Sequence, residues 1–175
     1  LGTGQGQGIY RSPLNNLQLY GWSVYTTGIT GSKMWPNFGI SNNRLLAALY
    51  TNTVWSLAPA GQWSLTSSGI SNSNFIRALS ADNSTVMIAG EGTNTVHRSV
   101  NGGASWSHVT TPFPANVVVH TLRARNGLVF AGTESSGVFW SPDGGLNWAS
   151  FNRGFQANNG SWVCNDFKVF TFLLK

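Results

Sequence analysis

Ser141-Pro-Asp143-Gly-Gly145-Leu-Asn147-Trp148 is the stretch on which the fold turns. An earlier stretch, Ser99-Val-Asn101-Gly-Gly103-Ala-Ser105-Trp106, repeats its layout, with Asn in place of Asp. The physics suits a β-hairpin turn. An Asp or Asn side chain accepts backbone N–H groups inside the turn, glycine supplies positive φ, and the tryptophan folds over the hairpin as an apolar plug. Ser99, Asn101, Gly103, Trp106, Ser141, Asp143, Gly145 and Trp148 therefore read as structural residues.

The two tryptophans belong to a series of four: Trp22, Trp63, Trp106 and Trp148, at spacings of 41, 43 and 42. A second mark follows each tryptophan in Thr26-Thr-Gly28, Ser67-Ser-Gly69, Thr110-Thr-Pro112 and Asn152-Arg-Gly154. A third precedes it, where a serine closes an apolar segment at Ser12, Ser56, Ser99 and Ser141. Three marks in phase over four copies define an internal repeat of about 42 residues. Each repeat holds short, turn-bounded apolar segments such as 85–90, 95–99, 105–109 and 116–122. Four strands per repeat, separated by Gly, Asn, Asp and Pro, predict an all-β chain of four-stranded antiparallel β-propeller blades. The repeats run over about 1–44, 45–85, 86–127 and 128–170 of a single propeller domain or part of one, with a terminal strand at 171–175.

The two intact turns resemble the Asp-box, or bacterial neuraminidase repeat, whose pattern is Ser-x-Asp-x-Gly-x-Thr-Trp. As a specific motif the resemblance covers 99–106 and 141–148. In Ser12-Pro-Leu-Asn-Asn-Leu-Gln-Leu-Tyr-Gly-Trp22 the turn is lengthened, and Ser56-Leu-Ala-Pro-Ala-Gly-Gln-Trp63 lacks the acid. Asp-box propellers include sialidases and xyloglucan-type glycosidases, so the resemblance makes a glycosidase the first enzyme to test.

The termini read as halves of one further blade. Leu1-Gly-Thr3 matches Ala131-Gly-Thr133, taken as the end of an innermost strand, and Phe170-Thr-Phe-Leu-Leu-Lys175 resembles the start of one. A split blade joining them removes exposed strand edges. Three arrangements fit: a closed four-bladed ring, two chains pairing into a larger ring, or a piece of a six- to eight-bladed parent. An apolar terminal strand at 171–174 also predicts self-association through the termini. The chain begins at Leu1 without methionine, which fits either removal of a leader or excision from something longer.

Composition narrows the function. Charged residues make up 9% of the chain, Gly supplies 21 residues, Trp 8 and Phe 10, which fits neither disorder nor a helical protein. The net charge of +5 comes from scattered cations, so no concentrated basic face for nucleic acid is predicted. No apolar run reaches the ~18 residues of a membrane-spanning helix. The single cysteine, Cys164, excludes an internal disulfide and reads as a small buried side chain. Asn83-Ser-Thr85 and Asn159-Gly-Ser161 match the glycosylation acceptor pattern, which arises freely in so Asn- and Ser-rich a chain.

Glycoside hydrolysis needs two suitably spaced carboxylates. The chain has five acids: Asp82, Glu91, Glu134, Asp143 and Asp166. Asp143 belongs to the turn motif and Asp82 to the Ala-Asp-Asn-Ser turn. Glu91 and Glu134 follow equivalent strand ends, again taken as innermost, and form the best available pair, although polar loop residues explain them as well. His97, His108 and His120 are too widely spaced for a local metal motif, and no cofactor motif occurs. One pattern points to recognition: the residue before the closing serine is Arg11, Trp55, Arg98 and Trp140 in turn. On a solvated face Trp55 and Trp140 would stack on sugar rings or a partner surface, whereas in a packed propeller they fill the gaps between blades. The sequence thus predicts a secreted, extracellular or cell-surface module that is not an enzyme, binding a glycan or protein surface or its own copies. The alternative is a fragment of an Asp-box glycoside hydrolase whose catalytic blades lie elsewhere.

Overall fold

The computed structural model describes residues 9–11, 23–30, 37–49, 52–57, 61–70, 75–83, 85–90 and 94–153. Every regular element among them is a strand. Strands β1 (Tyr10–Arg11) and β2 (Ser23–Val24) pair as a short ladder. Three four-stranded antiparallel meanders follow. The first comprises β3 (Asn37–Ser41), β4 (Arg44–Leu49), β5 (Thr53–Leu57) and β6 (Trp63–Leu65). The second comprises β7 (Ile76–Asp82), β8 (Thr85–Gly90), β9 (Thr95–Ser99) and β10 (Ser107–Thr110). The third comprises β11 (Val119–Arg125), β12 (Leu128–Thr133), β13 (Val138–Ser141) and β14 (Ala149–Ser150).

Local sequence explains the first hairpin of each sheet. Asn42-Asn43 and Asn126-Gly127 take φ of 48° and 58°, and of 51° and 80°, while Asn83 sits at 51°. Two-residue turns with positive φ match the right-handed strand twist, and Asn and Gly tolerate that region best.

The sheets stack face to face, and each seam is apolar. Ala47, Leu49, Trp55 and Trp63 of the first sheet bury against Ile9 and Ile29. Its opposite face, with Leu46, Ala48 and Val54, packs on Ile76, Leu79 and Trp106 of the second sheet. Ala78 and Val96, on the far face of that sheet, join Leu122, Val129, Ala131 and Phe139 of the third. Full burial of a Leu or Val side chain contributes roughly 1.5–3 kcal/mol, so these seams are what hold the sheets together.

The first strands β3, β7 and β11 lie side by side and form the inner edge of the stack. This corrects the assignment of Ala131-Gly-Thr133 as an innermost strand: those residues end β12, the second strand of its sheet. A periodic sequence gives no indication of which of its four strands starts the physical sheet, and only the convergence of β3, β7 and β11 does so.

Candidate functional site

The two intact turns are closed hydrogen-bond systems. In the third sheet the Ser141 hydroxyl donates to Asp143 Oδ1 (2.8 Å) and accepts from the Gly145 amide (2.8 Å). Asp143 also accepts the Leu146 and Asn147 amides (3.1 and 2.9 Å) and the Asn147 side-chain amide (2.6 Å). The bonds from Asn147, with those from Ser141 and Leu146, hold the Asp143 carboxyl down at about 2. In the second sheet Asn101 substitutes for the acid, and Ser105 changes with it. Asn101 Oδ1 takes the Ser105 amide at 3.0 Å while Asn101 Nδ2 donates to Ser105 Oγ at 2.8 Å. The third and seventh places of the turn thus keep matched donors and acceptors.

The tryptophans then tie each sheet to the one before it. Trp63 Nε1 donates to Tyr25 O (2.8 Å) and Trp106 Nε1 to Thr66 O (2.6 Å). Their backbone amides donate to Thr27 O (3.2 Å) and Ser68 O (2.9 Å). Gly28 and Gly69, at φ of 96° and 90°, leave room for this approach: a Cβ on either would fall on the carbonyl oxygen of Trp63 or Trp106. The recurring glycine and the recurring tryptophan are two sides of one junction. At the last junction Pro112 replaces the glycine. There Trp148 Nε1 turns to its own Gly145 O (3.0 Å), and Phe113 meets the Trp148 ring edge-on at 5.4 Å. Trp106 is buried, at 6% exposure, whereas Trp148 is only partly covered.

The four residues proposed for recognition do not occupy equivalent places. Trp55 pairs with Ala47 and Leu65, as His97 pairs with Ile88 and His108, and Phe139 with Ala131 and Ser150. The place held by Arg98 and Trp140 is filled in the first sheet by Ser56. Trp55 is therefore on the opposite face from the other two, buried at 5% exposure in the seam with Ile9 and Ile29, and offers no stacking surface. The cause is a shortened turn. Leu57, which stands where Ser99 and Ser141 stand, is six residues from Trp63, against seven for the two serines, so β5 runs one residue further than the serine spacing indicates. Arg98 bridges sheets, its Nε donating to Gly144 O in the next turn at 2.6 Å. Arg11 pairs with Ser23 in the first ladder. Trp140 is half-buried beside Phe151, which also meets Phe130, at 6.0 and 5.7 Å between centroids.

Sequence reasoning missed the inner edge. Where β3, β7 and β11 meet, a cleft of about 140 Å³ opens, lined by Asn37, Ala78, Leu79 and the run His120 to Arg123. Ladder irregularities between Ile76 and Ala78 and between Val119 and Thr121 place Arg77 and His120 at equivalent bulges. Bulges re-aim side chains, and the second of these sets the His120 imidazole in the lining of the cleft. Arg123 Nη1 donates to Leu122 O at 2.9 Å. A weak signal existed in the sequence: Phe75-Ile-Arg77-Ala-Leu79 and Val118-Val-His120-Thr-Leu122 share one pattern at a spacing of 43.

None of the three described carboxylates lines the cleft. Asp82 accepts the Gly127 amide at 2.8 Å, Asp143 belongs to its turn, and Glu134 is exposed beyond β12. Glu91 and Asp166 lie outside the described residues, as do Ser12, Cys164 and the terminal strands at 1–3 and 170–175. His97 and His108 face each other across β9 and β10, and His120 lies in the cleft, so the three do not converge. Among the described residues no three metal-ligating side chains cluster, and no helix is long and apolar enough to cross a membrane.

No protein-family model matches the chain, and no curated protein does. Solved structures do. An ancestral GH74 enzyme is 18% identical, with a TM-score of 0.58, over 73% of this chain and 19% of its own. YCF48 bound to D1 peptide is 18% identical, with a TM-score of 0.55, over 65% of this chain and 38% of its own. The computationally designed Ika4 protein is 12% identical, with a TM-score of 0.58, over 78% of this chain and 81% of its own. This chain therefore spans about a fifth of the GH74 enzyme and 38% of the YCF48 chain. At these identities the likeness shows the fold alone: an all-β chain of antiparallel sheets arranged as in β-propellers.

Proposed function

We propose that this chain is a propeller binding module without chemistry of its own, and that the inner-edge cleft takes a segment of a partner protein. The cleft carries the reading. His120, Arg123 and Asn37 surround a small opening with hydrogen-bonding groups, and no described carboxylate stands in it for acid–base work. The YCF48 structure, which holds a D1 peptide, supports a peptide as the occupant. A glycan fits the second candidate surface, where Trp140 and Phe151 present aromatic rings. The test is calorimetric titration of the whole chain against peptide and oligosaccharide panels. His120→Ala with Arg123→Ala should abolish peptide binding at unchanged melting temperature. Binding that survives this change, or that is lost only in Trp140→Ala, overturns the assignment of the cleft.

The same proposal extends to the whole molecule: four repeats, two of them with Asp-box turns at 99–106 and 141–148, a split blade formed by the two termini, and an extracellular or cell-surface location. Pairing of terminal strands between copies is the self-assembling version. A light-scattering mass equal to one chain, with stability lost on removal of residues 170 to 175, would instead favour closure within the chain. The second reading is a stretch of a larger Asp-box glycoside hydrolase, supported by the GH74 likeness. Determining the full length of the encoded polypeptide tests it: further blades that carry a carboxylate pair would establish it, whereas hydrolysis of xyloglucan or a sialoside by this chain, abolished by Glu91→Gln or Glu134→Gln, would overturn the non-enzyme reading itself.

A further inference from the structure

His97 is the second sheet's counterpart of buried Trp55 and Phe139, yet it is an imidazole. It is 3% exposed, and its Nε2 has no hydrogen-bond partner, alone in this among the buried side-chain nitrogens and oxygens of the described residues. Its direction follows from its neighbours. Val96 packs toward the third sheet and Arg98 donates to Gly144 there, so His97, between them, points the other way. That is the face on which Leu79 and Trp106 meet Leu46, Ala48 and Val54 of the first sheet. An imidazole thus stands in the seam where its counterparts carry rings of carbon or indole.

We infer that His97 is an acid-sensitive latch, which holds the seam between the first and second sheets closed while neutral and loosens it when protonated. A neutral imidazole leaves an uncharged Nε2 without a partner, a modest cost. An imidazolium puts a charged N–H there with no hydrogen-bond acceptor, in a seam of aliphatic side chains and the Trp106 indole, and that cost is far larger. The surroundings offer no compensation among the described residues. On its own ladder His97 faces Ile88 on β8 and His108 on β10. Elsewhere on its sheet, Arg98 points to the third sheet, Asp82 accepts Gly127 there, and Arg77 sits at the β7 bulge. The facing sheet brings one charged side chain, Arg44, exposed beside the β3–β4 turn. Burial, and then the neighbouring His108, push the His97 imidazole below its ordinary value. The sign follows. The unfolded chain takes up the proton first, so the stability held in this seam is complete above about pH 6.5 and is lost as pH falls below it.

The experiment uses the whole chain. Histidine ring resonances are followed by NMR from pH 8 to 4, with amide exchange of residues 46–56 and 103–107 corrected for intrinsic rates. The expected result is that His97 titrates below the ordinary imidazole value. Protection of both segments should fall by roughly tenfold for each pH unit that the folded value lies beneath the unfolded one. His97→Leu should abolish this acid loss, and His108→Gln should retain it in weakened form. If His97→Leu does not fold, the wild-type titration decides alone: an ordinary His97 titration, or protection that does not change with it, overturns the latch. Acid loss that persists unchanged in a folded His97→Leu chain overturns it as well.

Discussion

Asp143 and Asn101 show how much a single side chain can hold together. Asp143 accepts two backbone amides, a hydroxyl and a side-chain amide. Asp143→Ala should therefore destabilise the chain by about 1–3 kcal/mol, read as a lower midpoint in urea, because two amides lose their acceptor. The carboxyl is held down at about 2, so its contribution is present above the ordinary carboxylate value and disappears as pH falls from about 4 toward 2. Comparing wild type with Asp143→Ala across that range checks the sign: the gap between the two should close in acid. The matched exchange of Asp143 with Asn147 for Asn101 with Ser105 adds a second expectation. Asn147→Leu should weaken the turn, since it removes the Nδ2 donor that Asp143 accepts at 2.6 Å.

At the scale of the element, the junctions between sheets rest on a glycine and a tryptophan distant in the chain, Gly28 with Trp63 and Gly69 with Trp106. Gly69→Ala places a methyl on the Trp106 carbonyl and forces a positive φ on alanine, so it should lower the melting temperature. Gly127→Ala, with open space around its Cβ, carries only the φ penalty and serves as the milder control. Trp106→Ala should cost about 3–5 kcal/mol, the usual range for deleting a buried aromatic. Trp148→Ala should cost less, since Pro112 in the third repeat leaves Trp148 partly exposed and bonded within its own turn. Equal losses in the two variants would mean that the junctions are equivalent after all. These elements also mark how far the sequence could be read. Strands and both intact turns were legible because each has a local cause, alternation or a Ser-x-Asp or Ser-x-Asn layout, whereas the Asn-Asn and Asn-Gly turns that open the first and third sheets fell beside the cuts between repeats. The face on which Trp55 lies was not legible, because it depends on a turn shortened by one residue, which shifts a strand without altering the serine-to-tryptophan count. The cleft was hidden for a different reason. It is made by three strands from three repeats, and only their convergence brings Asn37 near His120.

For the molecule as a whole, every seam needs both of its neighbours. A chain ending at residue 70 would leave Leu46, Ala48 and Val54 without Leu79 and Trp106, so it should aggregate or unfold, whereas the whole chain should melt in one cooperative step. Far- and near-ultraviolet circular dichroism should then give coincident midpoints, and two separate transitions would show that the sheets fold independently. The cuts between sequence repeats, at 44/45, 85/86 and 127/128, fall in the hairpins that join the first and second strands of the sheets. A genetic duplication of one such unit would therefore never insert a finished sheet. It would deliver three strands that complete the sheet already begun and one strand that founds the next, like a tile whose tongue is cut for its neighbour's groove. A propeller of this kind can lengthen or shorten by whole units while every junction stays bridged by the peptide chain itself, which makes blade number a quantity that evolution can change without first inventing a new interface.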